Sequence, residues 1–411
     1  MTKVIQAPGH PGATPSSRAL VLDAIRAAGS ISRVEITAAT GLTGATVSTT
    51  VRRLIVDGLV QEAGRGESTG GKPRVLLELV PASRHALGVH LDSADITYAL
   101  VNLDGGVVAR LKRATRPDAE PAAVVRRMAR TVRELVESAG ARWEKVLGLG
   151  VVSPGPLARS SPTVLTGPAM GRWAGFPLGE RLGEATGLPI LLDNDATAAA
   201  VGEHWTGGAN GSRAFAALYL ATGIGAGAVV RGVPLRGASS NAGEIGHVCV
   251  QADGPECWCG ARGCLEALGG PQVVVASAEA AGFDLGGPGR PTSERFAVLA
   301  RAAIGGDAVA ASMLHRSARY VAIAAQTLAQ VLDIDRLVLT GPAMALAGSL
   351  YLPVVQERLD TSFFARSDHG VEVVISPHAN EAAAIGAAAL VLQGELVAAG
   401  GSVRIAVGRP A

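Results

Sequence analysis

Two hydrophobic rhythms divide this chain. Over its first sixty residues apolar positions recur at helical spacing, and beyond about residue 80 they gather into short strand-like runs separated by longer helical stretches. Leu20, Val21, Ala24, Ile25 and Ala28 share one face of a helix that begins near Ser17 and is closed by Gly29. Ser32-Arg33-Val34-Glu35 is a capping box, with Ser32 at the N-cap and Glu35 reaching back, and the helix it opens ends at Thr40-Gly41. Thr43 can cap a third helix whose Val47, Val51, Leu54 and Ile55 form one face, opposite Thr46, Ser48, Thr49, Arg52 and Arg53. Leu59–Glu62 and Arg74–Leu79 then read as two strands around the loop GRGESTGGKP.

Pro81 marks the next boundary. Ala86–Val108 reads as two strands with a turn at Leu103-Asp104-Gly105-Gly106, residues 118–139 as a helix, and Lys145–Val152 as a buried strand. Pro189–Leu192 is another buried strand, and Ala196–Trp205 a helix just after Asp193-Asn194-Asp195. Phe215–Val230 is a strand, a Gly-rich turn and a strand. A loop at 282–293, Ala-rich helices through Leu332, the strand Arg336–Thr340, a helix near 345–359, the strand Val371–Ile375 and a helix from Glu381 follow. Alternation of this kind predicts layered α/β architecture, and a polar cluster at a strand's C-terminal end is where open α/β sheets place ligands.

Composition refines the picture. The 411 residues are 48% hydrophobic but only 3% aromatic, so the cores must be built from Ala, Val and Leu. The net charge is +2, so the chain as a whole carries no polyelectrolyte signal. Residues 1–80, however, hold nine Lys or Arg against six Asp or Glu, so any nucleic-acid contact belongs near the N-terminus. There, helix, glycine turn and polar-basic helix make a helix-turn-helix, with the loop at 64–73 as the wing of a winged helix. Thr46, Ser48, Thr49 and Arg52 are candidates for base contacts, and Arg65, Lys72 and Arg74 for the DNA backbone or minor groove. A helical domain that docks protein rather than DNA is the alternative. Residues 1–16 are Pro-, Gly- and Ala-rich and read as a disordered arm, and 396–411 as a surface tail. No apolar run reaches membrane-spanning length and the first residues carry no apolar signal region, so a cytoplasmic protein is expected.

The densest chemistry lies in residues 241–266, NAGEIGHVCVQADGPECWCGARGCLE. His247, Cys257, Cys259 and Cys264 are one imidazole and three thiolates, the donor set of a closed tetrahedral zinc site. Gly260 and Gly263 let the chain fold back so that three sulfurs reach one ion at about 2.3 Å each. A reduced cluster or a disulfide is the alternative. Cys249, in the run His247–Val250, reads as a small buried hydrophobe.

Gly243-Glu244-Ile245-Gly246-His247 and Cys257-x-Cys259-Gly260-x-x-Gly263-Cys264-x-Glu266 resemble the ROK family of sugar kinases and sugar-responsive repressors. The resemblance implies a two-lobed actin-like fold over residues 85–395, with one lobe at 85–195 completed by the C-terminal helix 381–395 and the other at 196–380. It implies that zinc shapes a sugar site in which Glu244, His247 and Glu266 face sugar hydroxyls. Asn194-Asp195, ahead of an Ala-rich helix, also resembles the family pattern, where the aspartate is the catalytic base; a helix cap is the other reading of Asp195. Residues 17–80 resemble the DNA-binding domain of the family's repressors, although Thr49 stands where those often carry Arg.

Against the kinase pattern Gly-Val-Asp-x-Gly-Gly-Thr-Lys, this chain has His90 for Asp, Asp92 and Ser93 for the two Gly, Ala94 for Thr and Asp95 for Lys. Leu339-Thr340-Gly341-Pro342 likewise replaces a glycine-richer adenosine loop. The groups that would hold ATP are gone, so Asp195 is read as a relic base and the protein as a non-enzyme. The expectation is a repressor that binds an inverted-repeat operator in double-stranded DNA as a homodimer or homotetramer and responds to a sugar or sugar phosphate. An ATP-dependent sugar kinase with an accessory DNA-binding domain is the rival, for which Asp195 and the Thr222–Gly227 glycine loop speak.

Overall fold

The first helix, α1 (Ser17–Ala28), is capped by Ser16, whose hydroxyl accepts from the Ala19 amide at 3.2 Å. Across Gly29 the chain enters a two-residue strand, β1 (Ile31–Ser32), too short to be seen as a pattern in the sequence. Ser32 then caps α2 (Arg33–Thr40): the Glu35 carboxylate accepts the Ser32 amide at 2.8 Å, and Gly41 ends the helix at φ 71°. Thr43 caps α3 (Gly44–Val56) through the Thr46 amide at 3.2 Å. The strands β2 (Val60–Arg65) and β3 (Val75–Leu79) pair antiparallel, and β3 also takes β1, giving the order β1-β3-β2. In this computed structural model residues 16–65, 74–116, 118–155, 168–209, 211–287 and 289–398 are described. The expected arm up to residue 15, most of the wing with Lys72, and the tail beyond 398 lie outside them.

The rest of the chain repeats one plan twice. The first half runs β4 (His85–Leu91), β5 (Asp95–Asn102), β6 (Val107–Ala114), α4 (Pro121–Ser138), β7 (Val146–Ser153), α5 (Leu178–Thr186), β8 (Ile190–Asn194) and α6 (Asp195–Thr206). The second runs β9 (Ala214–Leu220), β10 (Ile224–Val230) and β11 (Val233–Pro234). It continues with α7 (Leu265–Gly269), α8 (Pro271–Ala280), α9 (Thr292–Ile304), α10 (Ala308–Leu332), β12 (Arg336–Thr340), α11 (Pro342–Ser362), β13 (Glu372–Ile375) and α12 (Ala382–Ala398). The sheets have the orders β6-β5-β4-β7-β8 and β11-β10-β9-β12-β13. In each, the first strand of the half pairs antiparallel on one side and parallel on the other.

One stretch departs from the sequence reading. Residues 86–108 were expected to hold two strands, and there is an additional reversal at Asp92-Ser93-Ala94. The apolar run on both sides hides it; Asp92 makes the turn by accepting the Ser93 amide on its own carboxylate at 2.7 Å. The α5 helix was also unassigned by the sequence pattern, and the last helix takes in residues 396–398, the first three of the expected tail.

Each half ends in a helix that packs on the other half's sheet. Helix α6 lies against β9 and β10, α12 against β4, β5 and β7, and the two helices pack on each other. Close approach is bought with small residues: a Cβ on Gly386 would lie 1.7 Å from the Ala198 carbonyl oxygen, and one on Gly88 1.8 Å from that of Ala384. This seam of Gly and Ala lets the two helices and the sheets approach closely. Helix α1 packs on α12, and its Arg26 reaches the far end of α6. There the guanidinium donates to the His204 and Trp205 carbonyls at 3.4 and 3.1 Å and lies 4.9 Å over the Trp205 ring. Helix α6 thus runs from the cleft between the sheets to the N-terminal domain.

Candidate metal centre and ligand cleft

The segment that carries the cysteines is held down by its backbone. Gly243 sits at φ 92°, where a Cβ would fall 1.8 Å from the Ala226 carbonyl oxygen, so only glycine lets the Glu244 turn lie flat on β10. Amides of Val250 and Leu265 bond to Gly263 and Val248, and Cys257 to Ala261, folding the chain back at Gly260 and Gly263, both of positive φ. His247, Cys257, Cys259 and Cys264 bring their ligand atoms within 4.8 Å of one another. Cys259 and Cys264 sulfurs are 3.7 Å apart, and the Cys257 sulfur is 3.6 Å from His247 Nδ1. A tetrahedral zinc with ordinary bond lengths requires edges of about 3.8 Å between sulfurs and about 3.6 Å from sulfur to nitrogen. The donor set therefore fits zinc in both chemistry and spacing. Burial and the neighbouring Cys259 and Cys257 push the Cys264 thiol up to about 12, a cost that a bound cation would offset. Cys249 is exposed, contrary to the buried position expected of it, while its backbone bridges that of Cys264.

With Nδ1 turned to the sulfurs, His247 lines a cavity of about 280 Å³ together with Asn194, Asp195, Glu244, Glu266 and Trp258. Asn194, not Asp195, is the N-cap of α6: its side chain accepts the Thr197 amide at 3.0 Å. Asp195 begins the helix, with one carboxylate oxygen on the Ala196 amide at 2.8 Å. Glu244 and Asn194 converge over Gly155, where a Cβ would come within 2.6 Å of Glu244 Oε1 and 3.1 Å of Asn194 Nδ2. Burial, then the charges of Asp195 and Glu266, raise the Glu244 carboxyl. Glu266 accepts the Ile224 amide at 3.0 Å on one oxygen and the Trp258 indole N–H at 2.8 Å on the other. All five residues expected at a sugar site thus face one cavity.

Ala221, Thr222 and Gln272 also line a second cavity of about 430 Å³, bounded by His90, Asp92, Ser93, Ala94 and Asp95. The tips of the two equivalent hairpins, β4–β5 and β9–β10, meet here: the Thr222 hydroxyl lies 2.8 Å from both oxygens of Asp92. Asp95 is paired with Lys112 at 2.8 Å. His90 is buried with Nε2 3.4 Å from Asp195 Oδ2, an ion-pair contact too long for a strong hydrogen bond. Burial opposes charge on His90, but Asp195 and Asp92 outweigh it and raise its pKa. Tyr219 packs edge-on to His90, and burial with the charges of Asp195 and Asp92 pushes its hydroxyl well up. Close by, Asp193 and Arg236 form a buried ion pair at 2.7 Å between the halves. His90's pairing with Asp195, the Asp92–Thr222 bridge and the Asp193–Arg236 pair escaped the sequence because each joins residues forty or more positions apart. Trp258, set between two cysteine ligands, could have been noticed.

On the N-terminal domain Thr49, Arg52 and Arg65 are exposed, while Thr46 and Ser48 are half-buried. Thr46 is drawn back by the Thr43 hydroxyl at 2.9 Å. Arg74 is exposed beside Glu35 at 4.0 Å.

Comparison with known proteins gives two matches along the chain: the ROK family model covers residues 86–394 and the MarR family model residues 12–67. A glucokinase of Thermotoga maritima is 31% identical over 74% of this chain and 96% of its own length. A xylose repressor of Caldicellulosiruptor bescii is 31% identical over 63% of this chain and 65% of its own. The solved structure of a ROK family transcriptional regulator, described as a homologue of the Escherichia coli MLC protein, superposes with a TM-score of 0.70. It is 23% identical and covers 92% of this chain and 98% of that one, and so carries the two-part fold.

Proposed function

This chain belongs to the ROK family, and we propose that it is a sugar-responsive transcriptional repressor of carbohydrate-metabolism genes without meaningful kinase activity. The observation that carries the reading is a cleft of two unlike halves beneath a helix-turn-helix domain. Asn194, Asp195, Glu244, His247 and Glu266 line one half, while in the other Asp92 and Asp95 stand where polyphosphate would have to lie. Like unit charges 4 Å apart repel by about 4 kcal/mol at an effective dielectric of 20, so Asp92 opposes a nucleotide, whereas Lys112 offsets Asp95, and Arg290 and Arg295 also line this cavity. Relatives include both kinases and repressors, and the additional N-terminal domain favours the repressor. His247, Cys257, Cys259 and Cys264 hold zinc, which when bound ties the Glu244 turn to the Glu266 helix and so fixes the two carboxylates against sugar hydroxyls. A cytoplasmic homo-oligomer presents two helix-turn-helix domains to an inverted repeat in duplex DNA. In it Thr46, Ser48, Thr49 and Arg52 meet bases, and Arg65, Lys72 and Arg74 meet phosphates or the minor groove.

Coupling then runs along α6, from Asp195 in the cleft to the carbonyls held by Arg26. The test combines an assay of the purified protein with Mg-ATP and a panel of hexoses, pentoses and acetamido sugars with operator binding by wild type, Arg52→Ala and Lys72→Ala. Arg52→Ala should lose discrimination between sequences, whereas Lys72→Ala should weaken all sites alike and lower the salt slope by about one. Sugar-dependent ADP release at about 1–100 s⁻¹, abolished by Asp195→Asn, would falsify the reading. So would genomic DNA binding that survives deletion of residues 1–80.

A further inference from the structure

Resting on the reading of the cleft as a sugar site, we infer that its ligand is an uncharged sugar seated against Trp258, which is both a wall of the site and the positioning residue for Glu266. Three features of the cavity lead there. Its charge comes first. Asp195, Glu244 and Glu266 line it, and no Lys or Arg does so among the described residues. A phosphorylated sugar would bring up to two further negative charges among three carboxylates without a counter-cation. The way out toward the neighbouring cavity, moreover, is bridged by Asp92, a fourth carboxylate, through its contact with Thr222. Uncharged hydroxyls suit the same groups well, since each carboxylate oxygen has lone pairs left after its protein contacts.

The second feature is Trp258 itself. At 59% exposure it is the most exposed tryptophan of the four, and a large aromatic left open at the rim of a polar cavity needs a reason. It is not loose: its ring stands edge-on to His247, centroids 4.7 Å apart, and its N–H is spent on Glu266 at 2.8 Å. An anchored indole with a free face is what the apolar C–H side of a pyranose packs against, while the hydroxyls at the ring's edge reach the carboxylates.

The third feature is the division of Glu266. One oxygen is fixed by the Ile224 amide and the other by the indole, so the carboxylate is oriented before any sugar arrives. Gly223 and Gly246 leave room for it, as a Cβ on either would lie 2.5 or 3.3 Å from Glu266 Oε2. Loss of the indole N–H frees the carboxylate to rotate, while loss of the whole ring also removes the stacking face. The two functions of Trp258 can therefore be separated by substitution.

The experiment uses the full-length, zinc-loaded protein and measures binding by calorimetry and tryptophan fluorescence. The probes are D-xylose, D-glucose, N-acetylglucosamine and the 6-phosphates of the last two, and zinc is quantified in every variant. One unphosphorylated sugar should bind wild type, its own 6-phosphate, where that exists, at least tenfold more weakly, and the emission of Trp258 should shift on binding. Trp258→Ala should weaken binding roughly tenfold with zinc retained, and Trp258→Phe by an intermediate factor. A sugar that binds Trp258→Ala as tightly as wild type, or a 6-phosphate that binds more tightly than its parent, overturns this inference while Glu244→Ala, losing binding, leaves the sugar site standing. Sugar binding indifferent to Glu244→Ala, or no binding by any probe, overturns the sugar site and this inference with it.

Discussion

The two halves of the cleft have aged differently. On the side of Asn194, Asp195 and Glu266 the polar groups are fixed by backbone amides and the Trp258 indole, and His247 by the cysteine cluster. On the side of His90, Asp92 and Asp95 the polar groups turn to the protein itself: Asp92 bonds to Thr222, Asp95 pairs with Lys112, and His90 faces Asp195 at 3.4 Å. The first half is satisfied with capacity to spare for a ligand, whereas the second has turned its capacity inward. Here the protein's own carboxylate occupies the Thr222 hydroxyl and links the two hairpin tips.

The largest effect should come from removing the scaffold of the first half. Cys259→Ser leaves an incomplete metal site, and zinc affinity should fall by more than about 100-fold. Zinc content measured by elemental analysis should drop and the response of operator binding to sugar should vanish, while operator binding itself survives, because the helix-turn-helix core is made by other residues. Glu244→Ala should abolish the response with zinc retained. A zinc-free Cys259→Ser protein that still responds normally would show that the metal does not organise the site.

The contrast between the halves was only partly legible in the sequence. Metal ligands and the Glu244 turn lie within a short span, so their spacing alone announces the chemistry. The capping box at Ser32–Glu35 and the glycine stop at Gly41 are equally local, and the structure has both. The residues of the second half could be read one by one, but not the contacts they make. Asp92 and Thr222 are 130 positions apart and meet only because two hairpins of a duplicated plan face each other. Even the turn that presents Asp92 was missed, because apolar residues continue on both sides of it. Cys249 was misplaced for a related reason: an apolar local run says nothing about which side of a loop faces solvent.

A smaller effect should test whether the second half is a bridge or merely a ruin. Asp92 is half-buried, and a hydrogen bond to a charged group contributes about 1.5–3 kcal/mol. Asp92→Ala and Thr222→Val should each lower stability by that amount in chemical denaturation. Since both remove the same contact, the double variant should lose little more than either single one. Simple additivity of the two losses would mean that the hairpin tips touch without holding.

The smallest effect concerns the contact of His90 with Asp195. Facing the imidazole are Asp195 from α6, Asp92 from the β4–β5 turn, Lys112 from β6 and the ring of Tyr219 from β9. Burial lowers its pKa and Lys112 lowers it further, but Asp195 and Asp92 prevail and the folded value lies above the ordinary 6.5. A group whose folded pKa exceeds its unfolded one binds its proton more tightly in the native state, so its stabilisation is complete below pH about 6.5 and is lost as pH rises through the raised value. Wild type should therefore lose stability relative to His90→Gln across that window, at a slope of at most about 1.4 kcal/mol per pH unit, the limit for one proton. The measurement is chemical denaturation of both proteins from pH 5.5 to 9, with Asp195→Asn as the partner variant. If the imidazole is charged because of Asp195, that variant flattens the profile as His90→Gln does; a profile unchanged in His90→Gln would place the titrating group elsewhere and leave the two halves of the cleft electrostatically independent.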